Sequence, residues 1–268
     1  MTSNDSPITP FLKWPGGKRW FISKHSDVLP AYTGRYIEPF LGSGAVFFHI
    51  RPSLAVLSDS NAWLINTYKA LRDNWRAVEQ ELEKHQENHS KDYYYRIRSE
   101  IFSNSVDQAA QLLYLNRTCW NGLFRVNLKG RFNVPIGTKN RVIMGDNFEE
   151  ISSALKKSLI LHQDFEMTID LAESGDLIFA DPPYTVKHNF NGFVKYNEKI
   201  FSWSDQERLC AALLRAKERG AHVVSTNANH ESVRDLYRHR FDIKEVPRSS
   251  VLAGKKEFRT SISELLIR

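Results

Sequence analysis

The stretch Asp176-Leu177-Ile178-Phe179-Ala180-Asp181-Pro182-Pro183-Tyr184 sets an apolar run directly against a carboxylate, two prolines and an aromatic ring. Four consecutive apolar residues without alternation read as a strand buried on both faces, the pattern of a parallel sheet covered by helices. Asp181-Pro-Pro-Tyr184 then sits at that strand's carboxyl end, where open α/β sheets bind ligands. Two prolines remove two N–H donors and fix φ, so the loop presents acceptors only. A carboxylate and a backbone carbonyl suit a substrate that offers two N–H donors, namely an amino group. The exocyclic amine of adenine or cytosine is a poor nucleophile because its lone pair is delocalised into the ring. Accepting both its hydrogens at the Asp181 carboxylate and the Pro182 carbonyl would draw the nitrogen towards tetrahedral geometry. Asp181, Pro182, Pro183 and Tyr184 are therefore the candidate catalytic residues, with Tyr184 supplying a stacking face. A plain strand-ending turn is the competing reading, and it leaves the tyrosine without a role.

Outward from this strand the pattern repeats. Arg35–Phe40, Leu54–Asp59, Leu159–His162, Ala221–Thr226 and Phe241–Val246 read as further short strands, and a helix is expected over Asp205–Arg219. Strands alternating with helices argue for a parallel α/β sheet. Thr260–Ile267 is expected to add a strand beside 241–246. Residues 61–112 read instead as helical. Leu64, Ile65, Tyr68, Leu71, Trp75, Val78 and Leu82 recur at three- and four-residue steps over Ala62–Glu83, followed by helices over Asp92–Phe102 and Val106–Asn116. His85 and His89 have the spacing of a metal pair, but without a third ligand they read as a solvated helix end. The expected architecture is an α/β core over 1–60 and 146–268, interrupted by an insertion over 61–145.

A second ligand signal lies in Glu38-Pro-Phe-Leu-Gly-Ser-Gly44, a strand running through a glycine loop into a helix. Glycines there let a ligand approach the backbone. The dinucleotide fingerprint fails, because Phe47 stands where its third glycine belongs; the phosphate loop fails at Leu12 and Arg19. Asp59 ends the next strand, 17 residues after Gly42, where an acid accepts hydrogen bonds from ribose hydroxyls. A nucleoside-type ligand and mere packing both remain open on this evidence.

The chain's 37 basic and 31 acidic residues give a net charge of +6. Residues 61–145 hold 13 of the basic and 8 of the acidic side chains, so most of the excess falls on the insertion. No acid occurs between Asp107 and Asp146, whereas Arg117, Arg125, Lys129, Arg131, Lys139 and Arg141 all fall there. Leu123–Leu128 and Arg131–Ile136 read as two short strands around Lys129-Gly130, a basic hairpin suited to a polyanion. The 268 residues suffice for one large domain or a domain with an insertion. No apolar run approaches the ~18 residues of a membrane span. The polar amino terminus lacks a signal layout, so export is not expected. Two cysteines, Cys119 and Cys210, exclude a disulfide scaffold or a cysteine zinc ribbon and fit a reducing, cytoplasmic compartment.

Lys13-Trp-Pro-Gly-Gly-Lys18, Glu38–Gly44, Asp59 and Asp181–Tyr184, in that order, resemble the Dam-type DNA adenine methyltransferases. So do Tyr114-Leu-Asn-Arg-Thr-Cys-Trp-Asn-Gly-Leu-Phe-Arg-Val-Asn127 and Gly130-Arg-Phe-Asn-Val-Pro-Ile-Gly137. The resemblance covers about residues 11–268 and implies a Rossmann-like methyltransferase core with S-adenosylmethionine as methyl donor. It assigns the cofactor to Trp14, Lys18, Glu38, Phe40, Gly42, Gly44, Asp59 and Asp181, with Asp164 and Phe165 against its adenine. It makes the insertion a target-recognition domain for double-stranded DNA. There Trp120 matches an aromatic wedge, Asn121 a phosphate contact, Arg125 the arginine that reads a guanine, and Leu123 and Pro135 apolar base contacts. Lys13, Arg117, Asn133 and Lys139 complete the expected DNA-facing set. This chain departs from the family's usual pattern at Trp120, often Tyr, and at Pro15, often Ala. Neither a metal nor a membrane partner is expected, and a cognate restriction endonuclease stands as a candidate partner.

The residue types agree with these roles. Arginine's planar fork matches the guanine O6/N7 edge and discriminates by ~1–3 kcal/mol, and a bulky wedge offsets the stacking lost when a base leaves the helix. Residues 187–201 are expected to fold over such a base. Methylation of cytosine N4, of adenine in RNA or of a glutamine amide is the nearest alternative, and a silent DNA-binding regulator the next.

Overall fold

The computed structural model describes residues 8–127, 129–186, 201–249 and 261–268. Its described strands form a seven-stranded, mostly parallel sheet in the order β3-β2-β1-β4-β5-β7-β6. They are β1 (Tyr36–Glu38), β2 (Ala55–Asp59), β3 (Ser158–His162), β4 (Leu177–Ala180), β5 (His222–Ala228), β6 (Ile243–Ser249) and β7 (Ser261–Ile267). The fold class read from the alternation of strands and helices is thus a mixed α/β sheet. Element ends moved by at most four residues, as hydrogen-bonding boundaries do.

The chain divides into two compact units. One comprises Ser23–Phe40, Leu54–Ser58 and Gln163–Arg268. Here β2, β1, β4 and β5 run parallel, with Ile37 opposite both Val56 and Ile178, and Ala180 opposite Ser225. All three residues of β1 and all four of β4 are buried, which explains their unbroken rather than alternating apolar pattern. β7 then pairs antiparallel with both β5 and β6. Pro247 sits in β6 at the edge of the sheet, where a missing N–H donor is tolerated. Helix α7 (Phe165–Ile169) starts on Asp164, whose carboxylate accepts from the Glu166 N–H. Helix α8 (Trp203–Glu218) starts two residues before the expected Asp205. Ser202 and Asp205 form a reciprocal capping box that satisfies its first donors.

The other unit comprises Met1–Ile22, Leu41–Ser53 and Asp59–His162, so it holds the expected insertion together with the glycine loop and β3. Asn61 caps α3 (Ala62–Glu87), whose buried stripe includes Leu64, Ile65, Tyr68, Leu71, Val78 and Leu82. Asn74 interrupts it with non-helical geometry, and beyond that point Trp75 is only half-buried beneath the Arg76 guanidinium. Helix α4 (Lys91–Ser99) follows, then α5 (Ser105–Thr118), which packs on α3 and is buried throughout from Ala109 to Thr118.

Three expectations change here. His85 and His89 are not a solvated helix end: Nδ1 of His85 meets the Tyr93 hydroxyl at 2.7 Å, and Nδ1 of His89 meets that of Tyr114 at 2.9 Å. The His85 ring is buried and stacks on Tyr114, because α4 and α5 bring Tyr93 and Tyr114 to the end of α3. The basic hairpin is a hairpin in outline only. Among the described residues its pairing is limited to two isolated antiparallel bridges, Val126 to Phe132 and, from the second arm, Ile136 to Cys119, and Leu128 lies outside them. Arg117 does not face solvent. Its guanidinium is buried, ion-paired with Asp146 at 3.0 Å and hydrogen-bonded to the carbonyls of Val142 and Phe11. It fastens the fold, and the phosphate contact expected of it is withdrawn.

Candidate active site

Parallel pairing puts the carboxyl ends of β1, β2, β4 and β5 along one edge of the sheet. Asp181 leaves β4 at that edge, and its Oδ1 accepts a 2.7 Å hydrogen bond from the Thr226 hydroxyl of β5. Pro182 is buried, and Pro183 and Tyr184 are half-buried. The Tyr184 hydroxyl donates to Glu264 Oε2 at 2.5 Å, and Arg248 donates to Glu264 Oε1 at 2.6 Å. Burial, and then the negative charges of Asp181 and Glu264, push the Tyr184 phenol well above its ordinary range. It therefore stays protonated and acts as a donor. Beyond Tyr184 the chain is pinned again, by the Thr185 hydroxyl donating to the Phe201 carbonyl.

The same unit supplies an aromatic pair near this edge. Phe40, two residues past β1, stacks on Phe165 with ring centroids 5.2 Å apart, and Phe201 meets both rings. The Arg208 guanidinium lies over Phe165 and reaches Asp164 at 2.7 Å. Glu38 is buried and accepts from the Tyr36 hydroxyl.

In the other unit the glycine loop is drawn tight. Gly42 and Gly44 have φ of +47° and +63°, which favours glycine. A Cβ on Gly42 would lie 2.9 Å from the Trp14 indole. The Gly42 N–H donates to Asp59 Oδ2 at 3.1 Å, and Asn61 N–H donates to Oδ1 at 2.9 Å. Burial raises the Asp59 carboxyl above the usual range against those two bonds. Lys18 is buried, with Nζ on the Gly16 carbonyl. Trp14 stacks on Phe124, which sits between Leu123 and Arg125.

The hairpin gathers most of the remaining expected residues. Trp120 N–H donates to the Pro135 carbonyl, and Arg125 Nε donates to Asn133 Oδ1 at 2.8 Å. Trp120 is 53% exposed and Leu123 42%, unusual for large apolar groups, and Asn121 between them adopts a positive φ of 56°. Arg125, Pro135 and Lys139 are exposed, and Asn133 is half-buried. Lys13 is exposed while its backbone is clamped on both sides by Asn116, whose side chain also holds the Gly122 carbonyl. The expected covering loop lies outside the described residues except for Phe201.

Sequence reasoning missed Thr226, Arg248, Glu264 and Asn116. Glu264 had a signal, since it is the one acid inside the strand Ser-Ile-Ser-Glu-Leu-Leu-Ile, where a charge needs a partner. The others look like ordinary polar residues until the sheet and the hairpin are assembled.

Residues 14–251 match the D12 class N6 adenine-specific DNA methyltransferases. The type II methyltransferase M1.LlaDCHI of Lactococcus lactis subsp. cremoris is 33% identical across all of this chain and 97% of its own. M.MjaIII, a type II methyltransferase of Methanocaldococcus jannaschii, is 34% identical over 97% of this chain and 98% of its own. The DNA adenine methylase of Serratia marcescens is 34% identical over 85% and 87%. The chain belongs to the D12 class of N6 adenine-specific DNA methyltransferases. It is an adenine-specific enzyme acting on DNA, which sets aside cytosine, RNA and silent-regulator readings. Among the described residues, no helix is long and apolar enough to cross a membrane.

Proposed function

We propose that this enzyme transfers a methyl group from S-adenosylmethionine to the N6 amine of an adenine flipped out of a short duplex site. The observation that carries the reading is the Asp181-Pro-Pro-Tyr184 loop at the end of β4, with its carboxylate oriented by Thr226 and its phenol held by Glu264. Asp181 and the Pro182 carbonyl accept the two amine hydrogens, which restores nucleophilic character to the nitrogen. Tyr184 presents a stacking face for the base. These effects are positioning and electrostatics acting on a neutral nucleophile.

The residues present fit the methyl donor. Gly42 and Gly44 take left-handed backbone that keeps the loop free of side chains, and Asp59 offers a carboxylate at the end of β2. The stacked Phe40 and Phe165 offer an aromatic surface beside Asp164. Trp14, Lys18, Glu38, Phe40, Gly42, Gly44, Asp59, Asp164, Phe165 and Asp181 would hold it. When bound, S-adenosylmethionine supplies a methyl group activated by a positively charged sulfur.

Residues 61–145 serve as the target-recognition region. Lys139 neutralises phosphate, Asn121 hydrogen-bonds to it, and Arg125, supported by Asn133, reads a guanine. Trp120 wedges into the stack with Leu123 and Pro135 beside it, offsetting an extrusion that costs a few kcal/mol. Lys13 reaches the same sequence. GATC is the site the family resemblance suggests, the cytoplasm is the compartment proposed for an enzyme with a DNA substrate, and a restriction endonuclease is a candidate companion.

Expression in a methylation-free host, followed by single-molecule sequencing of its genome, tests reaction and site together. N6-methyladenine in one short motif is expected. An unmodified genome in cells that contain the soluble protein overturns the reading.

A further inference from the structure

Glu264 lies on β7, opposite Ala228 of β5 on one side and Val246 of β6 on the other, and only 1% of it is exposed. A carboxylate in such a place is costly unless its oxygens are engaged, and an apolar residue would suit the strand better. Its two oxygens go to Arg248 and to the Tyr184 hydroxyl, from an element 80 residues away in sequence. A phenol bonded to a carboxylate makes a short, charge-assisted hydrogen bond. The Tyr184 backbone is anchored between β4 and the Thr185–Phe201 hydrogen bond. With the hydroxyl fixed as well, the ring is held at both ends and loses its freedom to swing.

We infer that Glu264, held by Arg248, is a positioning residue that fixes the direction of the Tyr184 ring axis and so the place where the target adenine stacks. The inference rests on the proposed role of Tyr184 as that stacking face. It places part of the site's precision on β6 and β7, outside the motif that does the chemistry.

The test uses the full chain, Glu264→Gln, Tyr184→Phe and the double variant. Single-turnover methyl transfer is measured on a duplex carrying the site found by genome sequencing. Fluorescence is read on the same duplex with 2-aminopurine at the target adenine, and S-adenosylmethionine affinity is read by calorimetry without DNA. Each single variant should slow transfer about tenfold and brighten bound 2-aminopurine as its stack loosens. Cofactor affinity should stay within twofold, and the double variant should be no slower than either single one. Wild-type rate and fluorescence in Glu264→Gln, or losses that multiply in the double variant, would overturn the inference. If Glu264→Gln does not fold, Tyr184→Phe keeps the ring and decides alone: unchanged rate and fluorescence overturn it. A wild-type chain inactive on DNA overturns the functional reading itself and this inference with it, an outcome distinct from an active wild type whose variants match it.

Discussion

The Thr226 hydroxyl donates a 2.7 Å hydrogen bond to Asp181 Oδ1, so a residue near the end of β5 orients the carboxylate that leaves β4. Asp181→Ala should reduce methyl transfer by at least ~10²-fold while duplex binding persists, since it removes an electrostatic contact to the reacting amine. Thr226→Val keeps the shape and removes the hydroxyl. A bond to a charged group is worth about 1.5–3 kcal/mol, so transfer should fall by roughly 10–100-fold. Methyl incorporation and gel-shift assays on the same preparations check both, and an unimpaired Asp181→Ala enzyme would defeat the proposed chemistry.

Arg125 is exposed and steadied by Asn133. Arg125→Lys keeps charge but loses the planar fork. It should cost ~1–3 kcal/mol of discrimination at one guanine while leaving non-specific affinity nearly intact. Competition between the cognate duplex and duplexes substituted at single positions measures this, and an unaltered preference profile would remove Arg125 from base reading.

Arg117 and Lys139 belong to the same acid-free stretch yet should fail in different ways. Lys139→Ala should lower the dependence of duplex affinity on salt by about one phosphate contact and leave the melting temperature unchanged. Arg117→Met strands Asp146 without its buried partner, with an expected loss of about 3–5 kcal/mol in stability. Its salt dependence should not move. Binding titrations across salt and chemical denaturation separate the two.

Burial lowers His85 from its ordinary pKa of 6.5 to about 4, so the folded protein holds it neutral. The unfolded chain then binds the extra proton between those values, and stability present above pH 6.5 is lost as pH falls towards 4. At pH 5 the loss should be about 2 kcal/mol. Urea unfolding at pH 7 and pH 5 measures it, and His85→Gln should flatten the acid limb. Equal pH dependence in wild type and variant would show that the His85–Tyr93 pair does not set it.

Much of the fold was legible because its signals are local. The apolar run Leu177–Ala180 and the proline-braced Asp181-Pro-Pro-Tyr184 each follow from neighbouring residues, and so does the glycine loop before α2 (Ala45–Ile50). The stripe on α3 was correctly read except at Trp75, which follows the kink at Asn74 and is half-buried, while Val78 and Leu82 beyond it are buried. Composition misled where pairing decides. Arg117 counted as one more surface cation in a basic stretch until Asp146 closed on it, and two polar-flanked histidines became partners of tyrosines from other helices.

The sequence by itself determined the class of sheet and the strand end on which the candidate catalytic residues fall, with the residue types proposed to meet an amine and a base. Only the tertiary structure decided how those groups are held. Thr226 reaches Asp181 because β5 lies beside β4, and Glu264 reaches Tyr184 because β7 doubles back against β5. Strand order is set by non-local burial, which no local pattern encodes, so the side chains that hold the proposed catalytic loop came into view only when the sheet was assembled.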